Sequence, residues 1–259
     1  MRFDSFKRLG LAALLGCALL SAAGCTKIPQ DPKTQADQAA DNDPLEPLNR
    51  VIFGFNRVVD VLILKPIVIV YQGVMPNKGQ EMVSNAVENL YAPVVLGNSI
   101  LQGDVQNSFA TFWRFAVNTM WGVGGLFDVA TTAGLTNRKT DFGQTLGVYG
   151  FESGPYLVLP LLGPSSIRDG VGRLGDIAMN PISYTDDSIA YTVAAVTIVD
   201  TRSNNDKLFE DIFTNSLDPY ATFRSGFLQK RAADIRRAKQ KLAANKSAPV
   251  KTAAVAGAK

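Results

Sequence analysis

The sequence contains no histidine at any of its 259 positions. That absence removes histidine-based general acid–base catalysis, the Ser-His-Asp arrangement and the commonest zinc and iron ligand sets. Cysteine is nearly as scarce, with Cys17 and Cys25 the only two, so the body of the chain offers no paired thiolate ligands. Charge is thin as well, at 19% of residues against 46% apolar. Phosphate-cradling loops are missing: "WGVGGLFD" at 121–128 lacks a third glycine, and no GK[ST] follows it. There is no G-x-S-x-G elbow either. The acidic pairs Asp186-Asp187 and Glu210-Asp211 read as helix-start charges favoured by the dipole. These gaps point away from an enzyme, and neither a cofactor nor a metal is expected.

What is present is an unusual apolar segment, "NRVIFGFNRVVDVLILKPIVIVYQGV", at 49–74. It is too apolar for a water-exposed surface. Yet Asn56, Arg57, Asp60, Lys65 and Pro66 interrupt it, so it lacks the roughly 18–20 uncharged residues of a spanning helix. Leu48, Ile52, Phe55, Val59 and Leu62 recur at helical spacing, while Asn49, Phe53, Asn56 and Asp60 form a second stripe beside Arg57. Such a helix suits a body sunk partway into a leaflet, its aliphatic side on acyl chains and its polar stripe on an internal aqueous space. The competing reading is a core helix whose Arg57 and Asp60 pair inside an ordinary soluble domain.

The chain opens "MRFDSFKRLGLAALLGCALLSAAGC", with a basic start, an apolar core from Leu9 to Leu20 and small residues before Cys25. This is the pattern of an export signal covering residues 1–24. Ala22-Ala23-Gly24-Cys25 resembles the lipobox at which bacterial lipoproteins are cleaved and acylated. Leu14-Leu15-Gly16-Cys17 is a rival, but it would leave "ALLSAAG" exposed on the mature chain. Composition turns polar after Cys25, which favours Cys25 as the lipidated residue.

Residues 25–42 then read as a flexible lipidated tether and 245–259 as a disordered tail, with one body of 43–244 between them. Helices are expected after Asp43, which together with Pro44 and Glu46 offers a start signal, although Glu46-Pro47 marks an alternative start. Further helical candidates are Gly79–Leu101, Val105–Met120, Asp187–Val199, Asp206–Asn215 and a basic helix from Pro219 to about Leu242. Strand evidence is thin, because prolines and glycines interrupt "TLGVYGF" and "PYLVLPLL". From Arg224 onward there are ten Lys/Arg against the single acid Asp234. Setting aside that tail and the leader leaves −8 on Cys25 to Phe223. Twelve glycines fall between Trp121 and Gly175, about three times the usual frequency. The segment from Asp141 to Ser165 therefore reads as a mobile gate with Gly143 and Gly147 as hinge candidates, or as a static loop clamped by Pro155, Pro160 and Pro164.

"DPLEPLNRVIFGFNRVVD", "KPIVIVY", "SNAVENLYAPVVLGNSILQGD", "FWRFAVNTMWGVGGLFDVA", "DFGQTLGVYGFESGPYLVLPLLGPSSIRD" and "DPY" followed by "FLQKR" occur in unbroken order from Asp43 to Arg231. Together they resemble the VacJ/MlaA family of outer-membrane lipoproteins. The resemblance implies a mainly α, ring-like helical domain with amphipathic helices embedded in the inner leaflet of the outer membrane. It also implies removal of mislocalised phospholipid from the outer leaflet through a polar channel. The implied partners are phospholipids, porin trimers and a soluble periplasmic lipid-carrier protein, and nucleic acid is not among them. Asn49, Asn56, Arg57 and Asp60 are the channel-lining candidates. Rival classes are a structural lipoprotein that braces porins and a lipid hydrolase.

Overall fold

A proline at position 47 decides where the first helix begins. In the computed structural model, which describes residues 43–247, helix α1 spans Glu46–Val59 with Pro47 in its first turn. Proline needs no hydrogen-bond acceptor there, and its fixed φ already suits a helix. Asp43 is not the side-chain cap. Its carboxylate instead accepts hydrogen bonds from Asn49 and from the Tyr220 hydroxyl. Of the two starts the sequence offers, the later one forms. Cys25 and the tether of 26–42 lie outside the described residues.

Pro66 decides the next junction. It has no N–H to donate, and its ring would crowd the carbonyl four residues earlier. The chain answers with a single π turn, Asp60–Leu64, closed by the Lys65 N–H on the Asp60 carbonyl five residues back. Helix α2, Lys65–Val74, then continues with almost no break. Helix α3, Asn77–Leu101, and helix α4, Val105–Met120, are joined by Gln102–Asp104 and pack along one another. Gly103 at φ +72° permits that short reversal, and Asp104 caps α4 by accepting from the Asn107 N–H at 3.1 Å.

Two short helices follow, α5 at Val129–Thr132 and α6 at Phe142–Val148. The glycine-rich segment thus contains a regular helix inside the stretch proposed as a gate. After it comes an antiparallel hairpin that the sequence barely advertises. Strand β1, Tyr156–Leu159, pairs with β2, Gly163–Ser166, with Tyr156 opposite Ser166 and Leu159 opposite Gly163. Pro164 is tolerated because a two-stranded sheet leaves every strand an open edge. Helix α7, Ile167–Met179, is capped by Ser166, whose hydroxyl accepts from the Asp169 N–H. A 3-10 turn at Pro181–Tyr184 leads to α8, Asp187–Asn204, then α9, Asp206–Asn215, and α10, Pro219–Ser247. Helix α10 runs past Leu242, where the sequence pattern fades, and takes in the first residues assigned to the tail.

The apolar core is small. Tyr156, Val158 and Tyr220 form its centre, with Ile52, Phe53, Phe227 and Leu228 packed against them. Phe53 meets Tyr220 edge-on and lies 5.9 Å from Phe213 and 5.7 Å from Phe223. Ile52, expected on the outward face, therefore points in. The outward face of α1 is instead Leu48, Val51, Phe55 and Val58.

Burial is inverted relative to a water-soluble protein. Among the described residues nine apolar side chains are buried, against twenty-two polar or charged ones. Meanwhile thirty-eight large apolar residues are exposed. Scattered exposed apolar residues are ordinary, but this many of them around a mostly polar interior are not. Among the described residues no helix is long and apolar enough to cross a membrane.

Candidate functional site

The polar stripe of α1 does turn inward, but the hairpin meets it there. Asn49 is 1% exposed. Its Oδ1 accepts from the Val158 N–H at 2.9 Å, and its Nδ2 donates to the Tyr156 carbonyl at 2.9 Å. Asn56 repeats the arrangement, donating to the Leu159 carbonyl at 2.9 Å and accepting from the Leu161 N–H at 2.8 Å. The match is geometric. Seven residues of helix rise about 10.5 Å, and three residues of strand rise about 10 Å. Two carboxamides at i and i+7 thus substitute for a missing third strand.

Asp60 is equally committed. Arg202 of α8 donates to it through Nε at 2.6 Å, and Arg57 approaches at 3.3 Å. The Arg57 guanidinium stacks on Phe213, 3.6 Å from the ring centre, and Arg202 lies over Phe209. Burying a charge demands such pairing. The Arg57–Asp60 pair of the competing reading is therefore present. None of the four channel-lining candidates borders either of the two cavities described below.

The structure places the hinge candidates Gly143 and Gly147 at close-packed positions. Both lie inside α6 without positive φ, and both are buried. A Cβ on Gly143 would stand 2.5 Å from Asp169 Oδ1 and 2.7 Å from Arg231 Nη2. One on Gly147 would stand 2.5 Å from Ile235 Cδ1. Their smallness lets α6 approach α7 and α10. Arg231 of α10 then clamps that contact, with Asp141 at 2.7 Å and Asp169 at 2.7 Å. Burial opposes the charge on Asp169, but the Arg231 and Arg168 guanidiniums outweigh it and hold the carboxyl below its ordinary value.

Open space lies elsewhere. A cavity of about 270 Å³ sits between α3, α4 and the 128–139 segment, with Thr197 of α8 at its border. Asn85, Asn89, Asn118 and Asn137 supply amides to its wall, and Val87, Ala92 and Val95 supply methyl groups. Asn85 and Asn89 also hold the 121–128 loop, donating to the carbonyls of Leu126 and Gly124 at 3.3 Å each. Gly125, at φ +97°, leaves room for Asn89, since a Cβ there would stand 2.4 Å from the Asn89 Cβ.

Arg114 is the charged centre of this wall. It donates to Asp128 at 2.9 Å, to Thr131 at 2.7 Å and to the Leu135 carbonyl. Burial disfavours the charge on Asp128, but bonds from Thr131, Asn118 and Arg114 outweigh it and hold the carboxyl down at about 2. Lys139 and Glu88 pair at 2.5 Å at the exposed rim. Such a wall offers fixed dipoles and one neutralised ion pair, suited to solvating a zwitterionic or anionic headgroup without holding it tightly. No group of three or more acidic or cysteine side chains among the described residues could hold a metal.

These residues lie outside the candidates that the sequence offers. Their signal is asparagine spacing, since Asn85 and Asn89, at i and i+4, share a face of α3. Fold and site define a mainly helical protein turned inside out, apolar outside and polar within.

The family model for the MlaA lipoprotein matches residues 41–234. An uncharacterised protein of Rickettsia bellii is 38% identical over 195 residues, covering 74% of this chain and 76% of its own. The intermembrane phospholipid transport system lipoprotein MlaA of Escherichia coli is 34% identical, covering 86% of this chain and 87% of its own. A solved structure from work on maintenance of bacterial outer membrane lipid asymmetry aligns with TM-score 0.68 and 33% identity. It covers 75% of this chain and 99% of its own. The chain belongs to the MlaA lipoprotein family.

Proposed function

We propose that this protein is an outer-membrane lipoprotein that moves mislocalised phospholipid out of the outer leaflet, and that it is not an enzyme. Cys25 carries the lipid anchor, and the body rests in the inner leaflet. The observation that supports this most is the inverted burial, with the apolar faces of α1, α2 and α4 outward and asparagines inward. Acyl chains remain on the apolar outside while headgroups cross through the polar interior. This keeps each half of the lipid in a medium that solvates it. The names of the Escherichia coli and Shigella flexneri relatives, which are intermembrane phospholipid transport lipoproteins, support the same substrate. In this reading porin trimers hold the protein laterally, and a soluble periplasmic carrier receives the lipid for the inner membrane.

The cavity wall, not the stripe of α1, is the headgroup path in this proposal. Thr197→Trp tests it, because among the described residues the Thr197 hydroxyl bonds its own helix alone, at the Val193 carbonyl, and an indole there would fill the cavity. In a strain lacking the native gene, the unaltered chain should restore low outer-leaflet phospholipid. The Thr197→Trp chain at equal abundance should not. Full restoration by the filled variant would move the path elsewhere, and failure of the unaltered chain would favour a bracing role.

A further inference from the structure

On the other side of the 134–139 segment lies a second cavity, of about 430 Å³. Gln106 and Asn107 of α4 and the residues from Gly134 to Asn137 line it. Phe109 and Ala110 form one wall. Its cations come from two distant parts of the chain, Arg138 and Lys241 of α10. Asn137 borders both cavities and bonds Thr111 Oγ1 at 3.2 Å, so it is their party wall.

The charge balance of this cavity is incomplete. Buried Asp104 pairs with Arg138 through Oδ2 and caps α4 through Oδ1. The Lys241 ammonium stands 3.9 Å from the same Oδ1, too far for a hydrogen bond, and its side chain is 32% exposed. Arg138 Nε is buried with no acceptor among the described residues. Two cations thus face one carboxylate whose oxygens are already engaged. An incoming group with one negative charge would complete the set.

The neighbouring wall indicates which anion. Phe109 and Phe112 each meet Trp113 edge-on, at 6.0 Å and 5.4 Å between ring centres. All three rings are exposed. Aromatic rings beside cations and amides are what an amphiphile requires, phosphate at one end and hydrocarbon at the other. We infer that this second cavity binds the phosphodiester headgroup of a single phospholipid, with Lys241 on the phosphate and the acyl chains along Phe109, Phe112 and Trp113. The site does not depend on passage through the first cavity.

The test is calorimetric titration of the full-length lipoprotein in phosphate-free dodecyl maltoside. The probes are dihexanoylphosphatidylglycerol and, separately, inorganic phosphate. Lys241→Gln should weaken the short-chain lipid about tenfold, as expected for losing one charge-assisted contact, with an unchanged unfolding temperature. Phe109→Ala should weaken the lipid and leave phosphate binding unaltered. Lys207→Gln, which removes an exposed cation of α9 that borders neither cavity, should leave both unaltered, which ties the loss to this site and not to general charge. Equal lipid affinity in Lys241→Gln would overturn the assignment. Phosphate binding as tightly as the lipid, with Phe109→Ala silent, would also overturn it by showing a free-anion site.

Discussion

Asn49 and Asn56 satisfy two backbone groups each, and those groups have no other strand to pair with. Removing the Asn49 carboxamide leaves a buried N–H and C=O unpaired, a cost of about 1–3 kcal/mol, whereas the partners of Asn56 are half-buried or exposed and can turn to water. Asn49→Ala should therefore lower the unfolding temperature and cellular abundance, and Asn56→Ala, nearer the hairpin tip, should do so less. If these asparagines lined the lipid path instead, lipid asymmetry would fail at normal abundance and stability. Asp176 allows a second prediction at this scale. Burial pushes its carboxyl up to about 6, against an ordinary 3.8. The folded state then binds more protons than the unfolded one between those values, so stability falls as pH rises through that window. Both the Asn98 amide and the Phe142 N–H donate to the same oxygen, Oδ1, which asparagine would keep. Asp176→Asn should thus stabilise the protein by roughly 2 kcal/mol at about pH 7 and make no difference at about pH 4. Equal unfolding free energies at both pH values would show that Asp176 titrates normally.

Among the elements, the helices were legible because each carries its own local signal. Val105–Met120 and Asp206–Asn215 match the sequence periodicity residue for residue, since an apolar stripe needs no tertiary information. The hairpin was not legible. Its partner strand "GPSS" has neither alternation nor branched side chains, and its outer edge is completed by asparagines more than one hundred residues away. Glycine frequency alone cannot tell a hinge from a close approach, and Gly143 and Gly172 sit at a close approach, with α6 backbone 2.4 Å from where a Gly172 Cβ would sit. Gly143→Ala should then destabilise by about 1–3 kcal/mol, because it meets the Asp169 backbone and the Arg231 clamp. Gly147→Ala meets side-chain atoms alone, Ile235 Cδ1 at 2.5 Å and Arg168 Nη1 at 3.3 Å, which can shift, and should cost less. Melting temperatures of the two variants decide this. A mobile gate would give altered lipid levels with unchanged melting in both.

For the molecule as a whole, the sequence showed that 49–74 was neither soluble surface nor membrane span, and the inverted burial explains why. An interior built from Asn, Asp, Arg, Ser and Thr has no hydrophobic period to detect, so its cavity residues escaped a reading based on apolar stripes. The polar stripe of α1 was legible as inward-facing, but what it faces depends on a hairpin that the sequence conceals. The central claim is that the apolar exterior lies against acyl chains. The two native tryptophans, Trp113 and Trp121, report on it directly, being 43% and 66% exposed. Reconstituted in vesicles, the lipoprotein's tryptophan fluorescence should be quenched strongly by brominated acyl chains and weakly by aqueous acrylamide. Strong acrylamide quenching with no effect of the brominated lipid would place that surface in water and contradict the account.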